Sequence, residues 1–189
     1  MKILAPADYR SMPWKNGAGT TIEIAVFPEH AGLNDFAWRV SRAQVVADGG
    51  FSHFAGIDRS LALLHGAGMR LTQDGVSQQV DAHNNIARFP GDVPVHAELV
   101  DGAISDFNLM SRRTVCAHQL NHWIGQATHA LPDHAVLLYC AQGTGKLIAD
   151  NAMIEIQTDA TVLFSSEDNL AGFSLQCAEH SRFYCVQII

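Results

Sequence analysis

Apolar and polar positions alternate along much of the chain. In "TTIEIAVF" (20–27), Ile22, Ile24 and Val26 fall on one face and Thr21, Glu23 and Ala25 on the other. "DFAWRVSRAQV" repeats the pattern, with Phe36, Trp38 and Val40 opposing Ala37, Arg39 and Ser41. A period of two marks half-buried strands, because successive side chains on an extended backbone point to opposite sides. "SLALLHGAGMRLTQDG" reads as strand, glycine turn and strand, and "ISDFNLMS", "HAVLLYC", "GKLIAD", "ATVLFSS", "FSLQC" and "RFYCVQII" extend the series. Turn residues separate these segments in "EHAGLND", "ADGG", "HGAG", "FPGDVP", "AQGTG" and "SSEDN". No stretch carries a sustained helical stripe, and "DGGFSHFAGIDR" allows a short helical turn without requiring one. Short strands at regular spacing predict an all-β sandwich or barrel.

The second half echoes the first. "HGAGMRL" matches "QGTGKLI" at a shift of 77 residues, "ARFPGD" matches "VLFSSE" at 75, and "DFNLM" matches "RFYCV" at 76. Similar shifts in the same order predict two copies of one β module, 1–113 and 114–189, meeting near "SRRTVCAHQ" and forming one compact domain. The matches place Phe89 with Phe164 and Phe107 with Phe183. The copies differ in one respect. The first carries Asp106 and Asn108 on one face of a strand, followed by Met110, where the second has Arg182 and Tyr184, then Val186. Lys15, Asn16, Arg39 and Ser41 also belong to the first copy, so a single site is expected in the N-terminal module.

Composition narrows the function classes. The 189 residues are 48% hydrophobic and 16% charged, an ordinary globular balance, with a formal net charge of -7. An acidic chain repels phosphate, which argues against nucleic acid as a partner. No apolar run is long enough for a membrane helix, and "MKILAPADYR" becomes polar too soon for a signal peptide, so a cytoplasmic location is expected. Cys116, Cys140, Cys177 and Cys185 are scattered among apolar neighbours and read as buried free thiols.

Candidate chemistry concentrates in three places. "MPWKNGAGTTIEIAVF" sets Trp14, Lys15 and Asn16 before Gly17 and Gly19. A phosphate-binding loop ends in Gly-Lys-Ser/Thr and leads into a helix; here the lysine comes first and a strand follows, which argues against that reading. Two remain: a loop at a barrel mouth offering an indole wall, a cation and an amide, or a capping loop with Trp14 as filler and Lys15 solvated. In the first, the glycines would permit backbone angles that a Cβ forbids.

Arg39 lies inside a strand and must be paired or wet, because its guanidinium does not shed its charge. Asp58 and Asp106 are the candidate internal partners, giving either a structural pair or an anchor for a ligand carboxylate helped by Ser41 and Asn108. "FAGIDRS" reads as a loop clamp, in which Asp58 accepts backbone N–H groups and Arg59 ties down a neighbouring strand. Arg112 and Arg113 read as a solvated pair, one of them within reach of a pocket rim.

Metal and thiol chemistry find little support. Ten histidines include no H-x-H. In "CAHQLNHW", His118 and His122 would lie about 13 Å apart on an extended strand, too far to share one zinc without a bulge. No G-x-S-x-G occurs, and only Cys116, near Arg113 and His118, has basic neighbours.

Taken together, "PWKNGAGTTIEIA", "FAWRVSRAQVVADGGFSHFAGIDRSLALLHG", "ARFPGD" and "DFNLM" resemble the HutD/Ves family, well from Met12 to about Arg112 and by strand pattern beyond. The resemblance implies a cupin-type bicupin of two stacked β-barrel or jelly-roll modules with little helix. HutD-like proteins accompany bacterial histidine-utilisation enzymes and are thought to bind a small pathway metabolite; Ves-like relatives are described as stress- or cold-induced. The resemblance also favours a pocket at Trp14–Asn16. The expectation is therefore a metal-free, cofactor-free binder of a small carboxylate or amide metabolite, such as urocanate, formiminoglutamate or formylglutamate, with a regulatory role in view. Trp14, Lys15, Asn16, Arg39, Ser41, Asp106 and Asn108 are the expected ligand-binding residues, with Phe107 as a wall or core residue. Two alternatives stand beside it: an acid–base enzyme with Asp106 as base and Lys15 as acid, and a stress-induced interaction protein without a ligand. No catalytic residue is otherwise assigned, and a homodimer is left open.

Overall fold

The computed structural model describes residues 1–14, 19–149 and 152–189. Nineteen strands run through the described residues. The first six are β1 (Lys2–Leu4), β2 (Arg10–Pro13), β3 (Gly19–Phe27), β4 (Trp38–Val45), β5 (Gly49–Gly50) and β6 (Ile57–His65). Five more follow: β7 (Met69–Gln73), β8 (Val76–Val80), β9 (Ile86–Pro90), β10 (Val95–Leu99) and β11 (Ile104–Arg112). Next come β12 (His118–Ile124), β13 (Ala127–Ala130), β14 (Ala135–Gln142) and β15 (Thr144–Ala149). The last four are β16 (Ala152–Gln157), β17 (Thr161–Leu163), β18 (Phe173–Cys177) and β19 (Arg182–Ile188). Among the described residues, helix is confined to two single 3-10 turns, Pro6–Asp8 and Leu170–Gly172. The segment 48–59 carries no helical turn; Gly56, at φ +68°, turns the chain into β6 instead.

The strands form two compact units, Arg10–Ala117 and Met1–Tyr9 with His118–Ile189. In the first, a six-stranded sheet β2-β3-β4-β11-β6-β9 and a four-stranded sheet β5-β10-β7-β8 enclose a core of Leu61, Leu63, Met69, Leu71, Phe89 and their neighbours. In the second, β1-β17-β14-β19-β12 and β13-β18-β15-β16 enclose Leu138, Leu147, Ile156, Leu175, Phe183 and theirs. Each core draws on the inward positions of both of its sheets, as period-two strands require. β1 belongs with the second unit because it pairs with β17, covering an edge that would otherwise present unpaired backbone groups. Tyr9 holds the segment there: its hydroxyl donates to the Asp159 carbonyl at 2.6 Å and lies 2.7 Å from Thr161 Oγ1.

Sheet order makes the repeat visible. β4-β11-β6-β9 in one unit corresponds to β12-β19-β14-β17 in the other, and β5-β10-β7-β8 to β13-β18-β15-β16. Leu61 pairs with Asn108 and Ala87, as Leu138 pairs with Cys185 and Val162. Phe89 lies opposite Arg59, and the Phe164 N–H donates to Val136, the residue corresponding to Arg59. Those two phenylalanines therefore occupy matching places. The match of Phe107 with Phe183 is displaced by one residue: the register sets Asp106 against Phe183 and Asn108 against Cys185. Because side chains alternate, that single step moves Phe107 to the opposite face from the core position of Phe183.

The strand list read from the sequence lacks β1, β2, β5, β8, β9, β10, β12, β13 and β16. Two of these, β8 and β16, are sheet-edge strands with mostly exposed side chains, so alternation leaves only a weak apolar signal. The glycine turn between β6 and β7 is strictly required. Gly66 has φ +104°, and a Cβ there would stand 2.7 Å from Ile104 Cγ2 and 2.9 Å from the Ala103 carbonyl oxygen. Gly66→Ala should cost about 1–3 kcal/mol and lower the melting temperature, measured by thermal unfolding against Gly75→Ala, where added bulk meets nothing within 4 Å.

Candidate functional site

Within the Arg10–Ala117 unit, the inner face of the six-stranded sheet changes from apolar to polar along its length. Three central strands set the rows. Arg39 of β4 lies opposite Met110 of β11, which lies opposite Arg59 of β6. Ser41 lies opposite Asn108, and Ala43 opposite Asp106. Neighbouring strands are about 4.8 Å apart, so these rows bring two guanidinium groups, an amide and a carboxyl to one wall. A cavity of about 720 Å³ opens onto that wall. Trp14, Thr21, Phe51 and Phe54 contribute to its sides, and the loop 47–52 to its mouth.

Arg59 is almost wholly buried, with its guanidinium carbon 4.8 Å from the Phe51 ring centre and 5.0 Å from that of Phe89. Two aromatic faces thus hold the cation by their quadrupoles. Its Nη2 donates to Asn108 Oδ1 at 2.7 Å, and Asn108 Nδ2 donates to Asp106 Oδ1 at 2.5 Å. The amide therefore stands between cation and carboxyl and relays one to the other. Among the described residues Arg59 makes no ion pair, its Nε has no partner, and Asp106 Oδ2 has none either. Burial lowers the Arg59 pKa to about 10, against the pull of Asp106 and with the help of Arg39, so the group stays charged at neutral pH. Burial also raises the Asp106 carboxyl to about 7, opposed by the Arg59 charge, the Ala43 backbone and the Asn108 amide.

Arg39 is paired differently from either expected partner. Its Nε meets Glu23 Oε2 of β3 at 2.6 Å, while Nη1 lies 3.4 Å from Ser41 Oγ. Asp106 goes to Asn108 and Asp58 to Arg113, at 2.7 Å. The sequence spacing hid Glu23 because the β3–β4 register, which sets it opposite Ser41 beside a bulge, is a tertiary property. Trp14 Nε1 donates to Thr21 Oγ1 at 2.8 Å, fixing the indole at the cavity edge. Gly19 matters through space and not through angle: a Cβ there would collide with the Gln44 carbonyl oxygen and press on the Trp14 ring. Lys15, Asn16 and Gly17 lie outside the described residues. Phe107 is fully buried on the opposite face from Asp106 and Asn108 and does not line the cavity.

Arg59 is the residue the sequence analysis missed. "FAGIDRS" read as a loop, but β6 begins at Ile57, which puts Arg59 on the same face as Leu61 and Leu63. The available signal was that parity. Arg59 therefore does not clamp a loop; Arg113 does, bonding Asp58 and Asp92, while Asp92 accepts the Gly56 N–H. Arg112 donates to the carbonyls of Phe36 and Asn34, and neither arginine lines the cavity. Among the described residues, no three His, Cys, Asp or Glu side chains stand close enough to hold a metal ion. All four cysteines are free, and burial raises the pKa of each, Cys140 and Cys185 to about 12. That is the reverse of thiol activation.

The HutD family model matches residues 6–185. The chain belongs to the HutD family. A Pseudomonas putida protein described as an uncharacterized 21.2 kDa protein in the hutC 3′ region is 32% identical over 100% of this chain and 97% of its own. Protein Ves of Cronobacter sakazakii is 39% identical over 60% of this HutD-family chain and 63% of its own. Among solved structures, a conserved protein of unknown function from Pseudomonas aeruginosa PAO1 superposes with a TM-score of 0.85 at 33% identity, covering 99% of this chain and 97% of that one. HutD from Pseudomonas fluorescens SBW25 does so with 0.77 at 28%, covering 100% and 98%. A cupin 2 conserved barrel protein from Leptotrichia buccalis (0.57, 8% identity, 90% and 89% covered) and a bacterial pirin from Escherichia coli (0.66, 10%, 98% and 97%) establish the cupin-like all-β fold and nothing further.

Two outcomes are expected of this wall. Arg39→Met strands the mostly buried Glu23 carboxylate and should destabilise the protein by about 3–5 kcal/mol, read from denaturant unfolding. Asp106 has a folded pKa above its unfolded one, so its contribution to stability is complete below about 4 and is lost as pH rises towards about 7. Asp106→Asn removes that loss. The melting temperature of the variant minus that of the wild type should therefore grow from pH 4 to pH 7 and level off above it.

Proposed function

We propose that the cavity of the Arg10–Ala117 unit binds a small carboxylate metabolite bearing an amide or similar polar group, without a metal. The observation that carries this reading is Arg59: a buried guanidinium with no ion pair among the described residues, lining a cavity of about 720 Å³. Taking such a charge from water costs several kcal/mol unless a counter-ion meets it, and a carboxylate matches its fork by two parallel hydrogen bonds. Arg39, already joined to Glu23, adds polar surface beside it, with Ser41 and Asn108 as further hydrogen-bonding groups. Trp14, Phe51 and Phe54 supply apolar walls of the kind that bury most of a small ligand. The name of the P. putida relative, taken from the hutC region, favours the acids of histidine breakdown as first candidates: urocanate, formiminoglutamate and formylglutamate.

A second reading has one observation behind it. A carboxyl held near neutrality in a cavity is suited to general acid–base work, and Asp106 is such a group, at about 7. The two readings part on turnover: a binding protein returns its ligand unchanged, whereas an enzyme produces new signals in the proton spectrum of the mixture.

Thermal shift followed by calorimetry with these three acids and glutamate tests the binding reading. At least one should bind. Arg59→Met should then weaken it about ten- to hundredfold, the value of a charge-assisted bidentate contact. Binding that survives Arg59→Met unchanged would remove Arg59 as the anchor.

A further inference from the structure

The Arg59–Asn108–Asp106 chain has a direction. Arg59 donates to Asn108 Oδ1 and Asn108 donates to Asp106 Oδ1, which fixes the amide in one orientation. Cation and carboxyl balance each other across that amide without touching. Asp106 Oδ2 is closed to solvent and has no hydrogen-bond partner among the described residues. Of the groups that favour the ionised carboxylate, the Arg59 charge is the largest, ahead of the Ala43 backbone and the Asn108 amide. A ligand carboxylate arriving at Arg59 claims the same charge. Two anions would then share one guanidinium, and the buried carboxyl, the less favoured of the two as an ion, takes a proton from solvent onto Oδ2.

We propose that Asp106, acting through Asn108, sets the anion affinity of the cavity, so that binding of a carboxylate at Arg59 is coupled to protonation of Asp106. This rests on the carboxylate reading above. Asp106 is a positioning residue in this scheme, since it acts through Asn108 and Arg59. The other charged groups facing it are accounted for. From β4 comes Arg39, tied to Glu23 of β3; from β6 comes Arg59; from the mouth loop comes Asp48, exposed and accepting the Leu99 N–H. Ala97, the cavity residue of β10, is neutral, and no histidine lines the cavity among the described residues. The protonation range of Asp106, set by burial to centre near 7, places the effect at physiological pH. Linkage is reciprocal: if the anion favours the protonated carboxyl, protonation favours the anion. The site therefore selects by charge, taking anions more tightly as pH falls and showing no such gain for a zwitterion whose ammonium offsets its carboxylate at the same place.

Formylglutamate is a suitable probe, because its carboxylates stay ionised throughout the range, whereas the imidazole of urocanate titrates within it. Calorimetry on the full chain should show affinity falling about tenfold between about pH 6 and pH 8. At about pH 7, the observed heat should depend on the ionisation enthalpy of the buffer, with protons taken up on binding. Asp106→Asn imitates the protonated carboxyl. It should bind formylglutamate at pH 8 as tightly as the wild type does at pH 6, with no pH slope and no buffer dependence, a gain that a merely structural residue would not give. Wild-type binding that is equally tight at both pH values, or an Asp106→Asn variant that keeps the slope, would overturn this inference and leave the carboxylate reading standing. Absence of binding at pH 6 up to about 10 mM, where the affinity would be weaker than about 2.7 kcal/mol, would overturn both. If the variant does not fold, the buffer dependence of the wild type decides alone.

Discussion

The burial of one guanidinium governs the candidate site. Arg59 enters the interior because β6 must turn Leu61 and Leu63 towards the core, and alternation carries Arg59 with them. Once inside, it requires aromatic faces, an acceptor and a distant negative charge. Phe51 and Phe89 supply the first, Asn108 the second and Asp106 the third. These come from β9, β11 and the segment after β5, so the site exists only when β6, β9 and β11 are in register.

That dependence explains the difference between the two units. Their sheets follow the same order, but the places of Asp106 and Asn108 are taken by Phe183 and Cys185, both fully buried in the core of their own unit. Apolar side chains complete that interior by packing alone. In the Arg10–Ala117 unit, polar side chains at the same positions leave a cavity and unpaired atoms, which cost stability in the absence of a ligand. A wall that is less stable than its apolar counterpart, on a scaffold that shows how to fill it, is the physical argument for a binding role. The pair formed by Arg39 and Glu23 belongs to the same wall but is internally satisfied, whereas Arg59 has no ion pair among the described residues.

Much of the fold was legible in the chain. Alternation named most of the central strands, including β3, β4, β6, β11, β14 and β19, and matched segments revealed the duplication, with Phe89 and Phe164 in equivalent places. The HutD resemblance rested on motifs in the first unit, and the family holds across residues 6–185. The face shared by Asp106, Asn108 and Met110 followed from parity alone. An edge strand such as β8 escaped because its side chains are largely exposed and polar.

The sequence by itself determined which side chains share a face within each strand, since that follows from a period of two. It could not determine which faces meet across strands. The Arg39–Glu23 pair depends on the β3–β4 register and its bulge, and the one-residue step that sets Asp106 against Phe183 depends on the pairing of β11 and β19 with their neighbours. Arg59 shows the same limit: a loop reading and a strand reading of "FAGIDRS" are equally consistent with local residues, and only the pairing of β6 with β9 and β11 starts the strand at Ile57. Local alternation is a property of the backbone, whereas register and burial are set by contacts between residues far apart in the chain, and those contacts brought cation, amide and carboxyl to one wall.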